Sequence, residues 1–205
     1  EPRMAAAREG RWQRELDGPD PVALEERTML VLGLGAIGTE IARRADGFGM
    51  RVVATRRSDR PSPDFVDRVE RPERTLELLA EADVVAVCLP LTDETEELLD
   101  AEAFTAMKPG AFLVNVARGR IVDHDALLAA LESGQLAGAC LDVTEPEPLP
   151  ADHPLWRRPD VLITPHVAGR AALSSGRWNA MYLENLRRFA AGEPLLNVVD
   201  KAAGY

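Results

Sequence analysis

Short apolar runs without a polar break alternate along the chain with stretches whose apolar residues recur every three or four positions. Met29 to Leu32, Arg51 to Thr55, Asp83 to Leu89, Phe112 to Val116, Ala137 to Leu141 and Val161 to Thr164 are of the first kind, and each predicts a strand buried on both faces. The small patch Phe65 to Val69 predicts one more. Helical spacing begins with Ile37, Ile41, Ala42, Ala45 and Phe48, stopped by Gly49. It returns over Glu73 to Ala82, with Leu76, Leu79 and Ala80 inward, over the short stretches Glu94 to Leu99 and Ala101 to Met107, and over Asp123 to Glu132, which closes at Ser133-Gly134. Asp123 and Asp125 are placed to cap that last helix. A long helix follows from Arg170 to Ala191, ended by Gly192-Glu-Pro194. Residues 1 to 27 differ: a helix over Pro2 to Glu9, a loosening through Asp17 to Pro21, and one large aromatic, Trp12, as a candidate interface anchor.

Strands alternating with helices, the strands lacking polar alternation, predict an α/β fold: a doubly wound parallel sheet with its ligand at the carboxyl ends of the strands. At 205 residues, 46% of them hydrophobic, the chain holds one full domain and part of another. A net charge of -10 argues against nucleic acid or an anionic membrane as partner. Cys88 and Cys140 each sit in an apolar run, which reads as buried free thiols of a reducing compartment. No apolar run approaches the ~18 residues of a membrane span, and no signal peptide is visible. The expected setting is cytoplasmic. The first residues are Glu1-Pro2 rather than Met, as in a fragment, a processed form or the ordered part of a longer protein.

Chemistry enters at Gly33, Gly35 and Gly38, spaced G-x-G-x-x-G between the first strand and the first helix. That context makes them the pyrophosphate cradle of a Rossmann dinucleotide site. Gly33 allows the tight turn, Gly35 the approach of backbone to phosphate, and Gly38 close packing of helix on strand. The helix start at Ala36 and Ile37 offers N–H groups and a positive dipole end. An NAD site would place a carboxylate at the end of the second strand. Here that strand runs into Arg56, Arg57 and Ser58 instead, which suits the 2′-phosphate of NADP, with NAD still possible.

Four further stretches carry a resemblance: Cys88-Leu-Pro-Leu-Thr-Asp-Glu-Thr95, Met107 to Gly119, Leu141-Asp-Val-Thr-Glu-Pro-Glu-Pro-Leu149 and Ile163-Thr-Pro-His-Val-Ala-Gly169. With the glycine loop they closely resemble the D-isomer-specific 2-hydroxyacid dehydrogenases, and the Thr55-Arg-Arg-Ser58 turn looks most like the glyoxylate/hydroxypyruvate reductase branch. The resemblance implies an oxidoreductase moving a hydride between NAD(P)H and a small 2-keto or 2-hydroxy acid. Arg118 matches the arginine that pairs with the substrate carboxylate and polarises its keto oxygen. His166 matches the acid/base, and Glu147 the carboxylate that orients it. Among cofactor contacts it implies Leu89, Pro90 and Thr95 in one loop, Val116 and Ala117 beside the nicotinamide with Arg118, Asp142 near its carboxamide, and His166 and Gly169 in the last loop.

Family members insert the cofactor domain into a flavodoxin-like substrate domain. By resemblance, residues 1–167 are the NAD(P)-binding domain with an N-terminal dimerisation arm, and residues 168–205 are a C-terminal return segment of the substrate domain, whose N-terminal part is absent. A homodimer is implied, the last helix should lack its main packing partner, and the piece by itself should be poorly active. No metal is expected, since no His/Cys/Asp/Glu set has ligand spacing. His124 and His153 read as structural. Two alternatives stay open: a nucleotide-sensing binding protein of the corepressor type, and an NAD-linked phosphoglycerate dehydrogenase, against which Arg56 and Arg57 count.

Overall fold

The computed structural model describes residues 9–12, 22–170 and 174–201. Its centre is β1 (Thr28–Leu32), in which Leu30, Val31 and Leu32 are fully buried. Successive side chains of a strand point to opposite faces. Leu30 and Leu32 accordingly join one apolar cluster and Val31 the other, so the sheet needs cover on both sides. Burial of each such side chain is worth roughly 1.5–3 kcal/mol.

The chain then runs through α1 (Ala36–Gly47), β2 (Arg51–Thr55), β3 (Arg68–Glu70), α2 (Thr75–Leu79), β4 (Val84–Val87), α3 (Ala101–Ala106), β5 (Ala111–Asn115), α4 (His124–Glu132), β6 (Leu136–Leu141), β7 (Val161–Ile163) and α5 (Ser174–Ala191). The sheet order is β3-β2-β1-β4-β5-β6-β7, with every pairing parallel. The order reverses between β1 and β4, so a crevice opens at their carboxyl ends. The doubly wound parallel sheet is therefore as expected.

At the opposite edge Asp83 ties three elements together. Its carboxylate accepts from the Thr28 N–H at 2.9 Å and pairs with Lys108 and Arg27. Burial alone would raise its pKa, but these donors outweigh it and hold the group below the usual range.

Several local expectations change. The third strand is Arg68–Glu70, because Phe65 and Val66 turn aside to pack on the α1 face, with the Arg43 guanidinium 4.7 Å above the Phe65 ring. Pro72 starts a 3₁₀ turn ahead of α2, which rotates the helix. Leu78 and Leu79 go inward, while Leu76 and Ala80 stay exposed. Glu94 to Leu99 is not helical but a series of turns ending in a bridge between Leu99 and Val122. On α1, Gly38, Ala42 and Ala45 are buried, whereas Ile37 and Phe48 at its two ends are exposed. Cys88 is half-buried and burial pushes its thiol up to about 12, but Cys140 is exposed. It stands in register with Leu162, which is likewise exposed, on β6 and β7. Asp123 caps α4 by accepting from the N–H groups of Asp125 and Ala126; Asp125 is a first-turn acid.

The helix expected over Pro2 to Glu9 lies, except for Glu9, outside the described residues, as does the Asp17 to Pro21 stretch. Trp12 is 93% exposed. Leu183, Leu186 and Phe189 on α5 are exposed too, at 67%, 65% and 77%. The chain after α5 folds back on it: the Asn185 amide donates to the Leu196 carbonyl and accepts the Leu196 N–H. Among the described residues no helix is long and apolar enough to cross a membrane.

Candidate active site

The glycine turn sits at the carboxyl end of β1. Gly33 has φ +95°, and a Cβ there would stand 2.9 Å from the Cys88 carbonyl oxygen, so turn and β4 end touch through bare backbone. Gly38 brings α1 onto the same turn: a Cβ would lie 2.9 Å from Val31 Cγ1 and nearer still to the Gly33 carbonyl oxygen. Gly35, the residue before α1, is the reverse case, with nothing within 4 Å of where a Cβ would be. The turn thus leaves open space directly over a helix N-terminus, whose first N–H groups have no intrahelical acceptor. A pyrophosphate fits that combination of room and donors.

Thr55 locks this cradle to β2. Its buried hydroxyl accepts from the Gly33 N–H at 3.2 Å and its carbonyl from the Leu34 N–H at 2.9 Å. Beyond it a groove of about 520 Å³ is lined by Gly33, Gly35, Ala36, Ile37, Arg56, Arg57, Ser58, Leu89, Pro90 and Thr95, all expected, and also by Leu34, Thr55, Arg60, Pro72, Thr75, Cys88, Glu94 and Leu98.

The two arginines behave differently. Arg56 turns back on its own loop, donating to the carbonyls of Ser58, Arg60 and Pro61. Arg57 reaches across the groove to Glu94, Nη1 to Oε2 2.9 Å. Thr95 spends its hydroxyl within its loop, donating to the Pro90 carbonyl and accepting the Thr92 N–H.

The second half of the site lies past β5, β6 and β7. Asn115, fully buried at the end of β5, accepts the Ala117 N–H and donates to the Arg118 carbonyl, closing a tight turn. This turn presents the exposed Arg118, whose Nη1 donates to the Ala117 carbonyl at 2.6 Å. Val116 is half-buried, and Ala117 belongs to the core. Gly119 then passes so close to the next loop that a Cβ would meet Glu145 N at 2.7 Å and overlap the Thr144 carbonyl.

Asp142 takes a positioning role. Its carboxylate accepts from the Thr164 hydroxyl and from the N–H groups of Val167 (3.0 Å) and Ala168 (2.9 Å), while its carbonyl accepts the His166 N–H at 2.8 Å. Burial acts against the charge, yet these donors hold its pKa below the usual carboxylate value. They also fix His166 at φ +52°, a left-handed conformation that a non-glycine side chain adopts at a cost. In that pose His166 Nδ1 meets Glu147 Oε1 at 2.6 Å, both side chains being about half exposed. Gly169 follows in the exposed turn after this loop.

The Glu147 loop rests on Leu149, which is buried, and on the His124–His153 ring pair, 6.1 Å apart edge to face. Burial, then His153, lowers the His124 pKa from 6.5, against the pull of the Glu145 carbonyl and nearby carboxylates. The unfolded chain therefore binds the proton more readily, so stability should fall as pH drops from 6.5 toward the lowered folded value. Melting temperatures across that window should show this slope, and His124→Leu should flatten it.

Among the described residues no group of three or more His, Cys, Asp or Glu side chains is placed to hold a metal ion. Residues 2–168 match the model of the D-isomer specific 2-hydroxyacid dehydrogenase NAD-binding domain. The glyoxylate reductase of Korarchaeum cryptofilum is 41% identical over 85% of this chain and 52% of its own length. Glyoxylate/hydroxypyruvate reductase A of Serratia proteamaculans is 38% identical over 94% of this chain and 61% of its own. The chain thus spans between about half and three fifths of these relatives. A D-isomer specific 2-hydroxyacid dehydrogenase from Xanthobacter autotrophicus Py2, crystallised with NADPH and MES, superposes with a TM-score of 0.86 at 41% identity, covering 98% of this chain and 81% of that one.

Proposed function

The chain belongs to the D-isomer specific 2-hydroxyacid dehydrogenase family, and from that premise we propose that it serves an NADPH-dependent reductase of small 2-keto acids of the glyoxylate/hydroxypyruvate type. The observation that carries this reading is the 2.6 Å pair of His166 and Glu147, held on the same sheet edge as the glycine cradle. When bound, the nicotinamide cofactor supplies the hydride.

The chain's own residues do the rest. Gly33, Gly35 and the start of α1 hold the pyrophosphate; Leu89, Pro90 and Thr95 form the facing wall; Val116, Ala117 and Gly169 shape the nicotinamide end. Asp142 acts there through the His166 loop. Arg118 pairs with the substrate carboxylate and stabilises charge growing on the keto oxygen. With Nδ1–H donated to Glu147, the protonated ring of His166 carries a second proton at Nε2; that proton would pass to the new alkoxide oxygen, leaving the neutral Nδ1–H imidazole. In the oxidising direction the same nitrogen takes the hydroxyl proton.

Arg57 and Ser58 would hold the 2′-phosphate, on a loop that Arg56 shapes from within. A charge-assisted contact is worth ~1.5–3 kcal/mol. Arg57→Gln should therefore weaken NADPH by about that amount in a fluorescence titration and leave NADH nearly unchanged; tighter binding of NADH than NADPH by the unaltered protein would reject the assignment.

We also infer a division near residue 167, with residues 168–205 returning to a substrate domain completed by further chain. The exposed apolar face of α5 supports this. Without that completion the site is open to water and should turn over poorly. A homodimer in the cytoplasm fits the exposed Trp12 and the two free thiols.

A further inference from the structure

We infer that Glu94 is a built-in competitor for the guanidinium that grips the 2′-phosphate, and that it sets how strongly the site prefers NADP over NAD. This rests on the proposed role of Arg57.

Arg57 follows β2 and Glu94 follows β4, so their 2.9 Å ion pair joins the two walls of the cofactor groove, both residues lining it. Arg56 does not offer an equivalent contact, since its N–H groups are turned onto the carbonyls of Ser58, Arg60 and Pro61. A 2′-phosphate arriving on this loop meets a guanidinium already facing a carboxylate. The dianion outbids a single carboxylate for a bidentate fork, but it must displace Glu94 and then stand near its negative charge. A cofactor with a bare 2′-hydroxyl meets neither penalty and leaves the bridge in place. Glu94 therefore acts against NADP selectively. The pair is exposed, 45% and 74% for the two side chains, which keeps its strength low enough for a phosphate to break. Thr95 anchors the turn that carries Glu94 through its bonds to Pro90 and Thr92, so the backbone of residue 94 is fixed beside the groove.

The test is a set of dissociation constants on the full-length protein for NADPH, NADH and the fragments 2′,5′-ADP and 5′-AMP. The unaltered chain is compared with Glu94→Gln, Arg57→Gln and the double variant. Glu94→Gln should tighten NADPH and 2′,5′-ADP about three- to fivefold, the scale of an exposed ion pair, and leave NADH and 5′-AMP unchanged. In the Arg57→Gln background the same change should have a much smaller effect. If Arg57→Gln weakens NADPH while Glu94→Gln leaves it unchanged or weaker, competition is wrong and the arginine assignment stands. If Arg57→Gln leaves NADPH unaffected, the arginine assignment fails and the competition fails with it.

Discussion

Replacing His166 by Asn in the complete enzyme should lower turnover by about 10²–10⁴-fold, the usual contribution of a positioned acid/base, with cofactor affinity and melting temperature nearly unchanged. Asn is a better probe than Ala because residue 166 sits at φ +52°. Asn tolerates the left-handed region, so the backbone of the Thr164–Ala168 loop keeps its conformation. The bonds that place this loop also survive, since they run from backbone N–H groups and Thr164 to Asp142. What disappears is the imidazole with its Nε2, together with the 2.6 Å contact of Nδ1 with Glu147. Steady-state kinetics beside a cofactor titration separate the two effects. A variant retaining more than about a tenth of the activity would remove His166 from proton transfer.

Gly119→Ala should damage fold and site together. Its Cβ would meet Glu145 N at 2.7 Å and overlap the Thr144 carbonyl, and neither obstacle is a flexible side chain. Both belong to the loop that carries Glu147, two residues on, while Gly119 directly follows Arg118. Relief requires the two loops to separate. Overpacking of this kind costs ~1–3 kcal/mol or more, and a loss of about 3 kcal/mol corresponds to roughly 6–12 °C in Tm for a chain of this size. Activity should fall further than stability alone predicts, because the gap between arginine and glutamate changes. An unaltered Tm would show that the two loops part without cost.

The strands were legible because burial on both faces leaves no polar break: Leu30, Val31 and Leu32 read as apolar in sequence and are fully buried. The glycine spacing was legible for a related reason, since backbone contact excludes side chains and leaves a mark in composition. Helix faces were harder. The 3₁₀ turn at Pro72 shifts the frame of α2 by a fraction of a turn, which exchanges Leu76 for Leu78 at the core. Glu94 to Leu99 has helical composition, but Thr95 bonds Pro90 and Thr92, Glu97 adopts φ +50°, and Leu99 pairs with Val122. Those partners, rather than propensity, decide its shape.

Supporting residues of the site were invisible for the same reason. Thr55 acts on Gly33 from 22 residues away, and Glu94 meets Arg57 from 37 away. Asn115 did leave a signal, since a polar residue ending a buried strand demands a local partner, and it has one in the Ala117 N–H. Arg56 and Arg57 are equivalent in sequence; only the path of the loop separates a guanidinium spent on the loop's own carbonyls from one that meets Glu94 across the groove.

Following NADPH and NADH oxidation by the full-length protein, with glyoxylate or hydroxypyruvate as acceptor, decides whether this chain serves a keto-acid reductase. Oxidation dependent on the keto acid, with kcat/KM higher for NADPH than for NADH, is the predicted result. Tight cofactor binding without keto-acid-dependent oxidation, or a clear preference for NADH, would contradict it.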